Sequence, residues 1–185
     1  MAAHRSTVVL PGARCVVRAW RLQDADALIR HANNERVARQ LRDRFPHPYT
    51  VADAIAFLKS TEAVLPANLA IEVDGEAAGG IGFVRGSDVE RFGAEIGYWL
   101  GEACWNRGIA SEAVVLVTGY AFDTFNLLRL FALPFADNVA SIRVLEKAGY
   151  VREGLLKSSC VKYGHPRDQV LYARVNAAWH GPTGS

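Results

Sequence analysis

The sequence predicts an α/β chain in which helices cover a mixed β-sheet. Three observations carry that expectation. Half of the 185 residues are apolar and a tenth aromatic, enough for a substantial core and against disorder. Strand-like and helix-like periods run in the order strand, two helices, three strands, helix, strand, helix, two strands. The three consecutive strands speak for a sandwich around a mixed sheet and not for a regular doubly wound repeat. The length fits one domain spanning 1–185, with an ordered core over about 14–175.

Arg14 to Trp20 alternates as a first strand should. Asp24 stands at an N-cap position, and a helical stretch continues from Ala25 towards Leu41. Pro46 and Pro48 make the segment from Arg44 to Tyr49 a loop. Thr50 with Asp53 caps the next helix, whose apolar face holds Ile55, Phe57 and Leu58. The pattern changes after Pro66: Leu69 to Val73, the pair Asp74-Gly75, and Ala77 to Val84 read as a hairpin. Phe92 to Leu100 is a strand, Ile109 to Phe125 a helix, and Leu128 to Pro134 a strand. Asp137 to Ala148 is a short helix closed by Gly149. A strand follows from Tyr150, Gly164-His165-Pro166 turns the chain, and Gln169 to Val175 is the last strand. The tail from Ala177 reads as poorly ordered.

A formal charge of +2 gives no basic stripe for nucleic acid. Cys15, Cys104 and Cys160 are far apart and form no metal-ligand spacing with the five histidines, so a reduced compartment and no metal are expected. The opening stretch, broken by Pro11 and Gly12, makes a poor signal peptide, and no run approaches the roughly 20 apolar residues that span a bilayer. A soluble cytoplasmic protein is the expectation.

Between Glu95 and Ala113 a strand passes through a short loop, Asn106-Arg107-Gly108, directly into a long helix beginning Ile109-Ala110-Ser111. The first turn of a helix leaves N–H groups without internal partners, and its dipole favours an anion. Gly108 and Ala110 leave the backbone open, so main-chain donors there can cradle a pyrophosphate. The bare pattern fits an ordinary tight turn equally well. It is neither G-x-G-x-x-G nor a Walker loop. A second constellation, Asn138, Ser141, Glu146-Lys147-Ala148-Gly149-Tyr150, lies about thirty residues on. Asn138 can offer a ligand both a donor and an acceptor, or simply cap the helix.

Together these segments resemble the GNAT superfamily of N-acetyltransferases, and in particular its branch of Rim-type ribosomal-protein acetyltransferases. Trp105-Asn106-Arg107-Gly108-Ile109-Ala110 occupies the family's loop pattern, with Trp105 in place of the usual first residue. The helix ending at Gly149-Tyr150 and the turn Gly164 to Asp168 are also similar to that branch. The resemblance implies a mostly antiparallel sheet of about six to seven strands flanked by helices and splayed at the acetyl-CoA site. It implies acetyl-CoA as co-substrate, an amine acceptor, neither nucleic acid nor membrane as partner, and a homodimer as one possibility.

Residue by residue, it places Tyr98, Trp99 and Leu100 along the pantetheine arm. The N–H groups of Asn106, Arg107, Gly108, Ile109, Ala110 and Ser111 fall on the pyrophosphate, and Asn138 near the thiol end. A strand N–H at Trp99 or Leu100 would bind the thioester oxygen. Ser141 maps to a hydrogen bond that stabilises the departing thiolate. Leu145 and Leu133 occupy positions where other relatives carry a catalytic tyrosine and glutamate. Glu95 is the candidate base, or else a solvent-facing or ion-paired strand residue, with Glu72 a weaker option. Cys104 has no activating neighbour in sequence. Phe45 and Tyr49 either pack on an acceptor or seal the core edge; His47 and His165 are remote candidates for tuning the cleft. A protein N-terminal α-amine is the leading acceptor. A small amine (amino acid, polyamine or aminoglycoside) and a non-catalytic acyl-CoA sensor are the alternatives.

Overall fold

The computed structural model describes residues 8–63 and 67–182. Most of the opening stretch read as a poor export signal (1–7), Pro66, and the end of the tail (183–185) lie outside the described residues. Eight strands form one sheet in the order β1 (Val9–Pro11), β2 (Val16–Ala19), β3 (Asn68–Val73), β4 (Glu76–Arg85), β5 (Gly93–Leu100), β6 (Arg129–Ala132), β8 (His165–Val175), β7 (Val151–Lys162). Among the described residues only β5 and β6 pair in parallel. β1, which the sequence does not announce, takes the edge beside β2, where Pro11 lacks an N–H at little cost.

Alternation along β3 sorts side chains to two cores. Leu69 and Ile71 point to the face covered by α4 (Ile109–Phe125) and α5 (Val139–Lys147). Ala70 points to the face covered by α1 (Ala25–Ala32) and α3 (Val51–Ala63), where Leu28 and Leu58 are each 1% exposed. Burial of one such leucine contributes about 2 kcal/mol.

The helix expected from Ala25 to Leu41 is two. Asn33 closes α1, and the Asn34 side chain accepts from the N–H groups of Arg36 and Val37 to start α2 (Glu35–Ala38). Asp24 is the N-cap residue of α1 but makes no side-chain cap bond to it. Its carboxylate takes the buried Arg18 guanidinium at 2.8 Å on both oxygens and the Arg21 N–H at 2.8 Å. Thr50 and Asp53 do form the reciprocal cap at the start of α3. Asp74 and Gly75, both with positive φ, turn the β3–β4 hairpin. In the last hairpin Tyr163 and Gly164 take the left-handed positions, so His165 and Pro166 already belong to β8. The ordered region also extends past 14–175: β1 precedes it, and Trp179 packs edge-on against Phe92 and donates to Asn126 O at 3.1 Å.

What positions the site is the parting of β5 from β6. Their parallel pairing covers only Gly93, Ala94 and Glu95 against Arg129, Leu130 and Phe131. Beyond Glu95, β5 stays with β4 as far as Leu100. The chain after β6 follows β8 instead: Val170 N donates to Pro134 O, Ala136 N to Asp168 O, and the Gln169 amide to Leu133 O. Pro134 has no N–H to return towards β5.

Candidate functional site

The parting opens a cleft of about 1640 Å³. It is larger than the roughly 300–1,000 Å³ usual for one small ligand, because it passes through the sheet and joins both faces. Glu95, Tyr98, Trp99, Leu100, Asn138 and Ser141 all line it. So do Asn106, Gly108, Ile109, Ala110 and Ser111 at one end. Arg107 alone of that loop does not; its guanidinium turns to Asp74, 3.4 Å away.

The loop geometry follows from two left-handed residues, Asn106 (φ 61) and Gly108 (φ 74). Gly108 is the N-cap of α4, and its carbonyl oxygen accepts from Glu112 N at 3.2 Å. The N–H groups of Ile109, Ala110 and Ser111 thus precede the helical ladder and remain available donors. Trp105 pins the loop by donating from Nε1 to Leu100 O at 2.7 Å, and the Arg36 guanidinium lies over its ring. Glu112, which sequence reasoning missed, sits in this same first turn without opposing an anion. Its carboxylate accepts the N–H groups of Ala13, Arg14 and Cys15 at 3.0, 2.7 and 3.1 Å. Burial acts to raise its pKa, but these bonds outweigh it and hold the group below the ordinary glutamate value.

Strand parity decides which main-chain groups face the gap. Gly101 N donates to Ala78 O at 2.8 Å, and bonded pairs alternate along an antiparallel ladder. The N–H and C=O groups of Trp99 therefore point to β4, and those of Tyr98 and Leu100 to the open edge. The Trp99 indole lies on the opposite face, packed edge-on against Phe45, which in turn stacks on the buried Tyr49. These aromatics both line the cleft and seal the second core.

On the α4–α5 face the Tyr98 phenol reaches Ser141, 2.8 Å from Oγ and 3.1 Å from its carbonyl oxygen. Burial raises the phenol's pKa, so it stays protonated. Either oxygen can be the donor in this contact, and when the phenol donates, the serine's own proton is free to point into the cleft. Asn138 is the N-cap of α5, its Oδ1 accepting from Ser141 N at 3.1 Å, which leaves its amide protons for a ligand. Glu95 is ion-paired with Arg42 at the edge of the opening. Glu72 is not in the cleft: it binds Arg18 at 2.5 Å. Burial raises the Cys104 thiol, the wrong direction for a nucleophile. His47 and His165 are exposed and do not line the cleft. Among the described residues no cluster of three or more His, Cys, Asp or Glu side chains is placed to hold a metal, and no helix is long and apolar enough to cross a membrane.

The sheet is thus parted at one parallel pair, with bare helix N–H groups at one end of the gap and an open strand edge along it. A profile of the acetyltransferase (GNAT) domain matches residues 14–151, and the chain belongs to that family of N-acetyltransferases. It is 31% identical over 173 residues to the uncharacterized N-acetyltransferase YoaA of Bacillus subtilis, covering 90% of this chain and 96% of that one. The ribosomal-protein-serine acetyltransferase of Escherichia coli matches at 34% over 82 residues, 44% of this chain and 46% of its own. The structure of Mycobacterium smegmatis RimJ in complex with CoA-disulfide superposes with a TM-score of 0.77 at 26% identity, covering 91% and 85% of the two chains.

Proposed function

We propose that this acetyltransferase moves the acetyl group of acetyl-CoA directly onto a protein N-terminal α-amine. The observation that carries the reading is the passage through the sheet. One half of the cleft has the anion-receptive start of α4 and the open edge of β5; the other is lined by residues of α2, α3 and the loop between them. The N–H groups of the first turn of α4 suit a pyrophosphate, and the open edge at Tyr98 and Leu100 suits an amide-bearing arm. Bound there, acetyl-CoA supplies an activated thioester. The Leu100 N–H faces the gap and is the donor for the carbonyl oxygen as charge develops on it. Glu95, held by Arg42, accepts the amine proton directly or through water. Ser141, held by Tyr98, stabilises the thiolate through its hydroxyl.

The lining favours an α-amine over a polyamine. Its charged side chains are six cations and two carboxylates, a field that repels a polycation and favours the neutral, attacking form of an amine. An α-amine, with a pKa near 8, reaches that form far more readily than an alkylamine near 10.4. Thermal unfolding and acceptor assays test the proposal together. Acetyl-CoA at about 100 times its Kd adds about 2.7 kcal/mol of stability, and alanyl or seryl peptides are acetylated at the N-terminus in preference to spermidine. Absence of the shift removes the donor site; consumption of spermidine alone removes the acceptor reading.

The serine–tyrosine pair has its own signature. Tyr98→Phe lowers kcat about tenfold, or about 1.4 kcal/mol, with little change in KM for acetyl-CoA. Ser141→Ala lowers it further, and the double variant is no slower than Ser141→Ala alone, because the phenol acts only through the serine. Additive losses in the double variant mean that the tyrosine acts by another route.

A further inference from the structure

We infer that the acceptor is a polypeptide N-terminus whose first residues carry carboxylates, and that Arg39 and Arg44 read them. The inference rests on the N-terminal reading above and narrows it.

Within nine residues α2 and the loop after it place Arg36, Arg39, Arg42 and Arg44 along the acceptor half of the cleft. Two of these charges are already balanced. Arg36 pairs with Glu102 and lies over Trp105, and Arg42 pairs with Glu95. Arg39 and Arg44 are exposed and have no carboxylate partner among the described residues. The other carboxylate on this wall is Asp53. It is engaged by the Thr50 N–H at 2.8 Å and hydroxyl at 2.6 Å, and the N-terminus of α3 offsets its field. Asp43, between the arginines, does not line the cleft and is tied to Lys162. On this wall the unbalanced charge therefore comes from Arg39 and Arg44, and Arg143 and Lys147 of α5 add to the cationic lining of the cleft.

The segment that bears them is built into the fold. The β7–β8 hairpin holds it at two points: Arg167 Nη1 donates to Arg39 O at 3.2 Å, and Lys162 Nζ, on a side chain 4% exposed, reaches Asp43 at 2.8 Å. Arg167 is itself fixed, its guanidinium 3.8 Å from the Phe135 ring centroid and ion-paired with Asp137. At the far end the Tyr49 N–H donates to Asn33 Oδ1 at 3.0 Å. Cations presented from an anchored backbone lose less entropy on binding than cations on a free loop. Glu95 lies at the opening, where the amine must arrive, and Arg39 and Arg44 lie along the approach. A chain entering N-terminus first brings its following residues past them, so carboxylates there gain attraction and lysines meet repulsion.

The test uses three peptides that share an N-terminal alanine and continue with acidic, neutral or basic residues. Wild-type kcat/KM is expected to fall in that order, with acidic over basic by about tenfold at low salt, the lower end of what a focused surface field supplies. The ratio shrinks at 0.15 M salt, where the Debye length is about 8 Å. The double substitution Arg39→Glu and Arg44→Glu brings the ratio to one or inverts it. General damage to the fold slows all three peptides alike and leaves the ratio intact, so a preserved ratio in the variant overturns the assignment. A wild-type ratio near one, with all three acetylated, overturns this inference and leaves the N-terminal reading standing. Acetylation of small amines but of no peptide overturns both.

Discussion

Gly108→Trp is expected to abolish acetyl-CoA binding in a chain that still folds. Gly108 has φ 74 and caps a 17-residue helix, so any L side chain there begins in a backbone region it rarely adopts. Such strain costs of order 1–3 kcal/mol. Space adds to the effect: even a Cβ would come within 3.3 Å of Arg14 Nε, so an indole must displace that side chain beside the turn. The loss therefore has two separable parts, a modest fall in stability without ligand and the disappearance of stabilisation by acetyl-CoA. Differential scanning of wild type and variant, with and without the ligand, separates them. Gly108→Ala carries the strain with little bulk, so its ligand shift shrinks without vanishing. A folded Gly108→Trp with an undiminished shift would show that the donor's phosphates lie elsewhere.

The largest effect on stability is expected at Arg18. Its side chain is 3% exposed and makes two 2.8 Å bonds to Asp24, one of 2.5 Å to Glu72 and one of 3.0 Å to Ala19 O. Burial works to lower the guanidinium's pKa, yet the bonds to Asp24 and Glu72 outweigh it and hold it above the ordinary value. Arg18→Met fills a similar volume but strands the Asp24 carboxylate, itself 7% exposed, with no counter-charge. Removing one partner of a buried pair costs about 3–5 kcal/mol. Replacing Asp24 as well, by Leu, recovers much of that loss, since no lone charge remains. Urea unfolding of the two variants checks both statements, and a loss below about 1 kcal/mol for Arg18→Met would mean that water reaches the pair.

Arg18 does not stand out in the sequence, and Asp24 and Glu72 stand out there only for other roles, whereas the loop around Gly108 does. The difference lies in range. The run from strand to glycine to helix is written in adjacent residues, because a left-handed N-cap and the free N–H groups after it are local properties of the backbone. The same holds for the Asp74-Gly75 turn and the Thr50–Asp53 cap. Asn138 was legible as a cap or a ligand, and it caps with its oxygen while its amide protons remain available. Reading a single helix from Ala25 to Leu41 missed the Asn33-Asn34 break, although that signal was also local.

The sequence by itself thus determined the mixed sheet with helices on both faces, the family, and the left-handed glycine turn that leads into α4. These follow from periodicity and from residues side by side. Only the tertiary structure decided which side chains meet across the sheet. Tyr98 finds Ser141 43 positions away, Arg42 finds Glu95 across 53, and Lys162 fixes Asp43 across 119. Such pairs depend on strand order, on the register that turns Leu100 rather than Trp99 to the gap, and on the point where β5 leaves β6. A period tells each residue which face to bury but not what it will find there, because its neighbours on that face come from distant segments brought together by the fold.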